Sequence, residues 1–210
     1  MLGTGAKIHI ASTKQALVIV FFTLLTASKS YADLAGSAHD FTRFAGMTQN
    51  ICIICHTPHN ANTTVPNSPL WNHAVTSATF TPYQGTLHAT PGQPTGISKL
   101  CYSCHDGTVA IDSYGGQVGT WYLADSLGTN LNNHHPLSFV YDSQLAVADG
   151  SLFDPDSHLT PLGGTIAQDL LRGGRMECVS CHDVHNRYNN PGLLRIRNTY
   201  SALCLTCHDM

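Results

Sequence analysis

Four stretches of this chain place two cysteines two residues apart with a histidine directly after the second: "CIICH" from Cys52, "CYSCH" from Cys101, "CVSCH" from Cys178 and "CLTCH" from Cys204. All eight cysteines are consumed: Cys52, Cys55, Cys101, Cys104, Cys178, Cys181, Cys204 and Cys207. Three chemistries use cysteine at this spacing. A disulfide within each pair closes a very small loop and restrains the unfolded chain little, and it gives no reason for the histidine. Zinc takes two thiolates and histidine, but its second ligand pair usually lies a dozen or more residues away, and adjacent Cys and His seldom reach one ion. Covalent c-type haem accounts for every position: the two thiols add to the two vinyl groups, and the following histidine sits under the iron. Haem is therefore the favoured reading, with zinc and thiol chemistry as rivals. The expected cofactor is haem c, four copies covalently attached, with His56, His105, His182 and His208 as proximal ligands.

The histidine supply sets the second axial ligand. Thirteen histidines, less His9 near the start and the four proximal ones, leave eight for four positions. Methionine would raise the potential, but beyond residue 32 only Met47, Met176 and Met210 occur. Bis-histidine iron with low potential follows as the expectation. His59 and His185 each lie three residues past a proximal histidine, in "CHTPH" and "CHDVH". They cannot reach the same iron from the same side, so each suits a neighbouring haem. His135, held extended by the following Pro136, and His39 in "GSAHDF" complete the distal set, with His73 and His134 in reserve. His88 and His158 read as ordinary half-exposed polar residues.

The elements that must hold these groups are sparsely written. Residues 1–32 carry Lys7 and Lys14 before the apolar run "ALVIVFFTLLTA" and small residues at Ser30 and Ala32, the pattern of a secretory signal peptide. The run has about a dozen residues, short of the ~20 that span a bilayer, so no membrane span is expected in residues 33–210, which read as one haem-binding domain. Past residue 32, seven basic residues, Lys99 and six arginines, face thirteen acids, a net of −6. That acidity excludes the basic footprint of nucleic-acid binding. No phosphate cradle or nucleophile and base pair is present, and Glu177 is the only glutamate, so a hydrolytic enzyme is not expected. The intervening segments, such as "HNANTTVPNSP" and "LGTNLNNHHP", are turn-forming. Short helices are expected around "TIAQDLLRGG", capped by Thr165 and stopped by Gly173, and in "YSALCLTCHDM", capped by Ser201; "SFVYDS" reads as a brief strand. The expected fold class is mostly irregular coil with short helices and few strands, organised around four covalently bound haems that serve as the apolar interior. Arg172, Arg175, Arg195 and Arg197 are candidate partners of haem propionates.

The strings "CIICHTPHNA", "PLWNHA", "GQPTGISKLCYSCHDGTVAID", "HHPLSF", "MECVSCHDVHN" and "SALCLTCH" resemble exported cytochromes c with doubled Cys-x-x-Cys-His motifs. More narrowly they resemble OmcE-type tetrahaem cytochromes, whose subunits polymerise into extracellular filaments. The resemblance runs from about His39 to His208. It implies an irregular fold around a continuous stack of bis-histidine haems, with a histidine donated across the subunit junction. The expected role is electron transfer, not catalysis, by a secreted protein at the cell surface or outside the cell. Its partners would be other copies of itself, redox proteins and an extracellular electron acceptor. A monomeric periplasmic shuttle, or an electron-transfer subunit of an oxidoreductase complex, would have the same ligation. A multihaem reductase would need one haem with an open face.

Overall fold

Segments dense in Gly, Pro, Asn and Thr turn rather than extend, and between the cysteine motifs the chain does little else. The structure is a computed structural model that describes residues 33–210. The segment expected to be a signal peptide, residues 1–32, lies outside the described residues. Among those described, the chain is mostly irregular coil with short helices and one two-stranded antiparallel sheet. No helix among them is long and apolar enough to cross a membrane.

The α-helices are α1 (Gly96–His105), α2 (Ser143–Asp149), α3 (Ile166–Asp169) and α4 (Cys178–Cys181). Strand β1 (Phe139–Val140) pairs with β2 (Arg175–Met176), Phe139 opposite Met176. The brief strand expected in "SFVYDS" is β1. Helix α2 starts where the Asp142 carboxylate accepts the Leu145 N–H and ends at Gly150 in the left-handed region, φ 75°; this is an acidic N-cap and a glycine stop. Helix α3 begins at Thr165 as expected, in a capping box with Gln168. It ends at Asp169 rather than continuing to Gly173. Leu170 and Leu171 turn into the interior, and Gly173 and Gly174, both at positive φ, reverse the chain so that Arg172 bridges Arg175. Burial and the turn thus override helix propensity. Ser201 does not cap a helix either: it sits at φ 61° within a single 3₁₀ turn, Thr199–Ser201, and the Asn198 side chain accepts the Leu203 N–H instead.

The second half of the chain packs its own side-chain core, in which Tyr141, Ile166, Leu170, Met176 and Leu203 surround the fourth motif's Cys207. A smaller cluster of Phe80, Tyr102 and Leu131 lies beside the second and third motifs, with Cys178 against it. The first motif rests on no comparable aliphatic cluster among the described residues. Its support comes from backbone bonds to the segment 69–74.

Candidate haem centres

Each motif winds one helical turn around its own cysteines. The His56 N–H donates to the Cys52 carbonyl at 2.9 Å, His182 to Cys178 at 3.0 Å and His208 to Cys204 at 3.0 Å. The second motif forms the last turn of α1. At this pitch residues i, i+3 and i+4 share one face, so both thiols and the histidine point the same way. The spacing Cys-x-x-Cys-His is what such a turn needs to present three groups to one ligand.

Different parts of the fold hold each turn. In the first motif, Asn72 N–H donates to Cys55 O and Thr57 N–H to Leu70 O, both at 2.9 Å, and the His56 Nδ1 lies 2.6 Å from Pro69 O. In the second, buried Asp106 accepts from the Thr76 hydroxyl at 2.6 Å and from the Thr108 N–H at 2.7 Å. Helices α1 and α4, which carry the second and third motifs, pack together through Glu177. Its carboxylate accepts from the Ser98 N–H at 3.2 Å while Cys178 N–H donates to Ser98 Oγ at 2.9 Å. Gly96, at φ 49°, opens α1 against this carboxylate, and an added Cβ would lie 3.4 Å from Glu177 Oε1. In the fourth motif, Cys207 O receives the Phe153 N–H at 2.9 Å, and Asp209 N–H donates to Ser151 O at 2.9 Å.

Three proximal histidines face a histidine brought from elsewhere in the chain. The ring centres of His105 and His39 are 6.0 Å apart, those of His56 and His185 6.2 Å, and those of His208 and His135 6.4 Å. Two imidazoles that share one metal through a nitrogen each, at about 2.0–2.1 Å, have ring centres about 6 Å apart. The donor set therefore fits a metal between each pair. The tautomers agree with this. The Nδ1 of His56, His182 and His135 lies 2.6, 2.9 and 2.9 Å from the carbonyls of Pro69, Gly192 and Pro136. Donation from Nδ1 to a carbonyl leaves Nε2 as the metal-binding nitrogen, the usual arrangement outside a metal's first shell. His39 Nδ1 is buried with no partner. Burial first, then the neighbouring His105, His182 and His185, push the His39 pKa down to about 4, so its ring is held neutral. The Asp40 carboxylate beside it accepts from the Gly36 and Thr42 N–H groups at 2.8 and 3.1 Å and fixes the loop that carries it.

The remaining candidates are placed differently. His73 is 1 % exposed. Its Nδ1 lies 2.7 Å from Ala74 O, and its Nε2 lies 3.0 Å from Ala110 O and 3.5 Å from Cys104 Sγ. Both nitrogens are thus engaged inside the protein, and no proximal histidine ring pairs with it among the described residues. His59 is exposed, with a 3.4 Å contact to the Asn60 side chain. His182 is also exposed and is the one proximal histidine with no facing histidine ring among the described residues. Of the two set aside as polar residues, His88 lies 3.3 Å from Asp149, and His158 stacks on Phe153 at 3.8 Å.

The rival chemistries find little support. All eight cysteines are free. No three His, Cys, Asp or Glu side chains converge as a metal site among the described residues, as tetrahedral zinc would need. Burial pushes the thiol of Cys55 up to about 11 and that of Cys104 up to about 12. A thiol held protonated is a poor participant in disulfide exchange; Cys178 differs, pulled down first by the bond it shares with Cys101. What sequence reasoning did not supply is the pairing itself and the buried Asp106, Asp183 and Glu177 behind the motifs; an acid directly after or before the motif, in "CHD" and "ECVSC", was the available signal.

No curated protein matches the chain. Residues 171–210, which hold the third and fourth motifs, match the family described as the doubled CXXCH motif. With two further copies of the unit at Cys52 and Cys101, this match supports a multihaem c-type cytochrome that serves electron transfer.

Proposed function

We propose that this chain is an exported tetrahaem cytochrome that carries electrons along bis-histidine haems as the subunit of an extracellular filament. The observation that carries the reading is the three imidazole pairs, at 6.0, 6.2 and 6.4 Å, each joining a motif histidine to a histidine distant in sequence. Bound haem supplies a one-electron iron couple, set low by two imidazole ligands. The chain's own residues do the rest. Cys52, Cys55, Cys101, Cys104, Cys178, Cys181, Cys204 and Cys207 tether, the four motif histidines ligate from one side, and His39, His185 and His135 close the other side to water and substrate. His185 follows His182 by three residues and faces His56, so one short link ties the third motif to the first.

The fourth sixth ligand is assigned to His59 of a neighbouring copy. Among the described residues His182 is the motif histidine with no facing histidine ring, His59 is the one of the four favoured distal candidates that faces no motif histidine, and both are exposed. Joining exposed groups on two copies makes a head-to-tail contact, which generates an open filament when the rotation does not close. Redox proteins and an extracellular acceptor would meet the ends of such a polymer.

Electron microscopy of the haem-loaded protein, recovered from the cell surface and medium, tests this reading. Regular filaments with an axial repeat of one small subunit are the expected result, and His59→Ala should abolish them while leaving three centres six-coordinate. Dispersed particles under all conditions would sink the filament and favour a periplasmic shuttle or an electron-transfer subunit. Carbon monoxide binding by the reduced wild-type filament would instead favour a reductase with an open haem.

A further inference from the structure

Arg195 is 7 % exposed, and its Nε is buried with no hydrogen-bond partner. The ion pairs among the described residues, His88–Asp149, Arg175–Glu177 and Arg187–Asp183, leave it out. A guanidinium does not shed its proton, so burial without an anion is heavily unfavourable. The segment around it is firmly placed. Its N–H donates to Cys181 O at 2.9 Å, Leu194 bridges His182, and the Asn190 side chain donates to Leu194 O at 3.0 Å. Its Cζ lies 5.8 Å from the centre of the Tyr188 ring. The buried acid of this motif, Asp183, is already taken: Arg187 donates to it from Nε at 3.2 and 3.1 Å and from its backbone N–H at 2.6 Å. Arg175 differs, because Glu177 Oε1 lies 3.9 Å from its Nε.

Resting on the haem reading above, we propose that Arg195 is the counter-charge of a haem propionate at the third motif or its neighbour. The planar fork of arginine matches a carboxylate in two parallel bonds, and a tethered haem brings carboxylates to a region whose own acids are spent. Arg195 is then a positioning residue that also tunes the centre. A cation held beside a haem stabilises the reduced state, because reduction adds negative charge, so its removal lowers the potential.

The test uses the full-length, haem-loaded protein in three forms: wild type, Arg195→Gln and Arg195→Lys. Covalent haem is counted by mass, and the potentials are read by spectroelectrochemical titration. In Arg195→Gln the haem count should stay unchanged while one centre becomes about tenfold harder to reduce, ~59 mV for one electron; Arg195→Lys should recover most of that shift. Because the glutamine variant can fail to fold, a second readout uses the lysine variant alone. With the haem carboxylates isotopically labelled, their infrared stretches should move between wild type and Arg195→Lys, and no movement overturns the proposal. Unchanged potentials in a fully loaded Arg195→Gln protein also overturn it, as does loss of self-assembly at unchanged potentials, which would assign Arg195 to an acid of a neighbouring copy. A wild-type chain isolated without covalent haem would overturn the haem reading as well, and so is told apart from failure of this inference alone.

Discussion

His73 is a buried imidazole and His39 a half-buried one whose Nδ1 is buried, and the structure gives them opposite circumstances. His73 has protein atoms against both nitrogens, two carbonyls and the Cys104 sulfur. His39 faces the His105 ring with its Nδ1 unpartnered. In this arrangement His73 has no nitrogen turned toward a motif histidine, whereas His39 faces one and keeps a nitrogen unengaged. Substitution should separate them. His39→Ala, and likewise His135→Ala, should open one iron per chain to carbon monoxide after reduction, read as a shifted Soret band. His73→Ala should leave carbon monoxide binding at the wild-type level yet lower stability by about 1–3 kcal/mol, since it empties a buried site and strands its hydrogen-bond partners. The denaturant midpoint of the haem-loaded protein measures that loss. A carbon monoxide response in His73→Ala would instead make His73 one of the ligands.

Helices α1 and α4 show how short elements acquire precision from one buried carboxylate. Glu177 caps the start of α4 in a box with Ser180, accepts from the Ser98 N–H, and takes the hydroxyl protons of Thr95 and Ser138 at 3.3 and 3.4 Å. The Cys101 and Cys178 thiols meet at the same junction. The bond shared with Cys178, with burial behind it, pushes Cys101 up, while the same bond pulls Cys178 down. Glu177→Gln should cost about 1.5–3 kcal/mol, the range for hydrogen bonds to a charged group, and should loosen the second and third motifs together. Amide hydrogen exchange would report it as lost protection in both Ser98–His105 and Cys178–His182; loss confined to α4 would deny the clamp. At α2 the single Asp142 cap is replaceable by alanine at about 1 kcal/mol, checked by the same exchange measurement over Leu145–Asp149. Helices α1 and α2 were not read from the sequence. The glycine that opens α1 disguises its start, and α2 has only Leu145 and Ala146 to bury, too short an apolar stripe to betray a helical period.

For the whole molecule, neutral imidazoles drawn partly out of water set an acid limit. An unfolded chain takes up a proton at His39 near its ordinary 6.5, whereas the folded one resists until about 4. Burial also lowers His105, His185 and His208. In each case the folded state binds fewer protons than the unfolded one below pH 6.5. The stabilisation is therefore complete above that value and is lost as the pH falls, at about 1.4 kcal/mol per pH unit for His39 between 6.5 and about 4. An imidazole that binds iron must also be deprotonated, so ligation acts in the same direction as burial, and the thermal midpoint of the haem-loaded protein should fall from pH 6.5 to 4 and stay level from 6.5 to 8. A midpoint flat down to pH 4 would show that neither burial nor ligation holds these rings neutral.

The sequence by itself determined the local chemistry: where the thiols lie, that a histidine follows each pair within one helical turn, and that coil would dominate between them. Those are properties of i, i+3 and i+4 spacing and of turn-forming residues, and they need no distant partner. It also marked the Thr165 cap and the strand at Phe139–Val140, since both are written within a few residues. Only the tertiary structure decided which histidine faces which. His39 and His105 are far apart in the chain, as are His56 and His185, and no local pattern encodes a contact between segments that meet through turns. The same holds for His73, whose neighbours Ala110 and Cys104 come from a distant segment, and for Arg195, whose isolation exists only once Asp183 has bonded to Arg187.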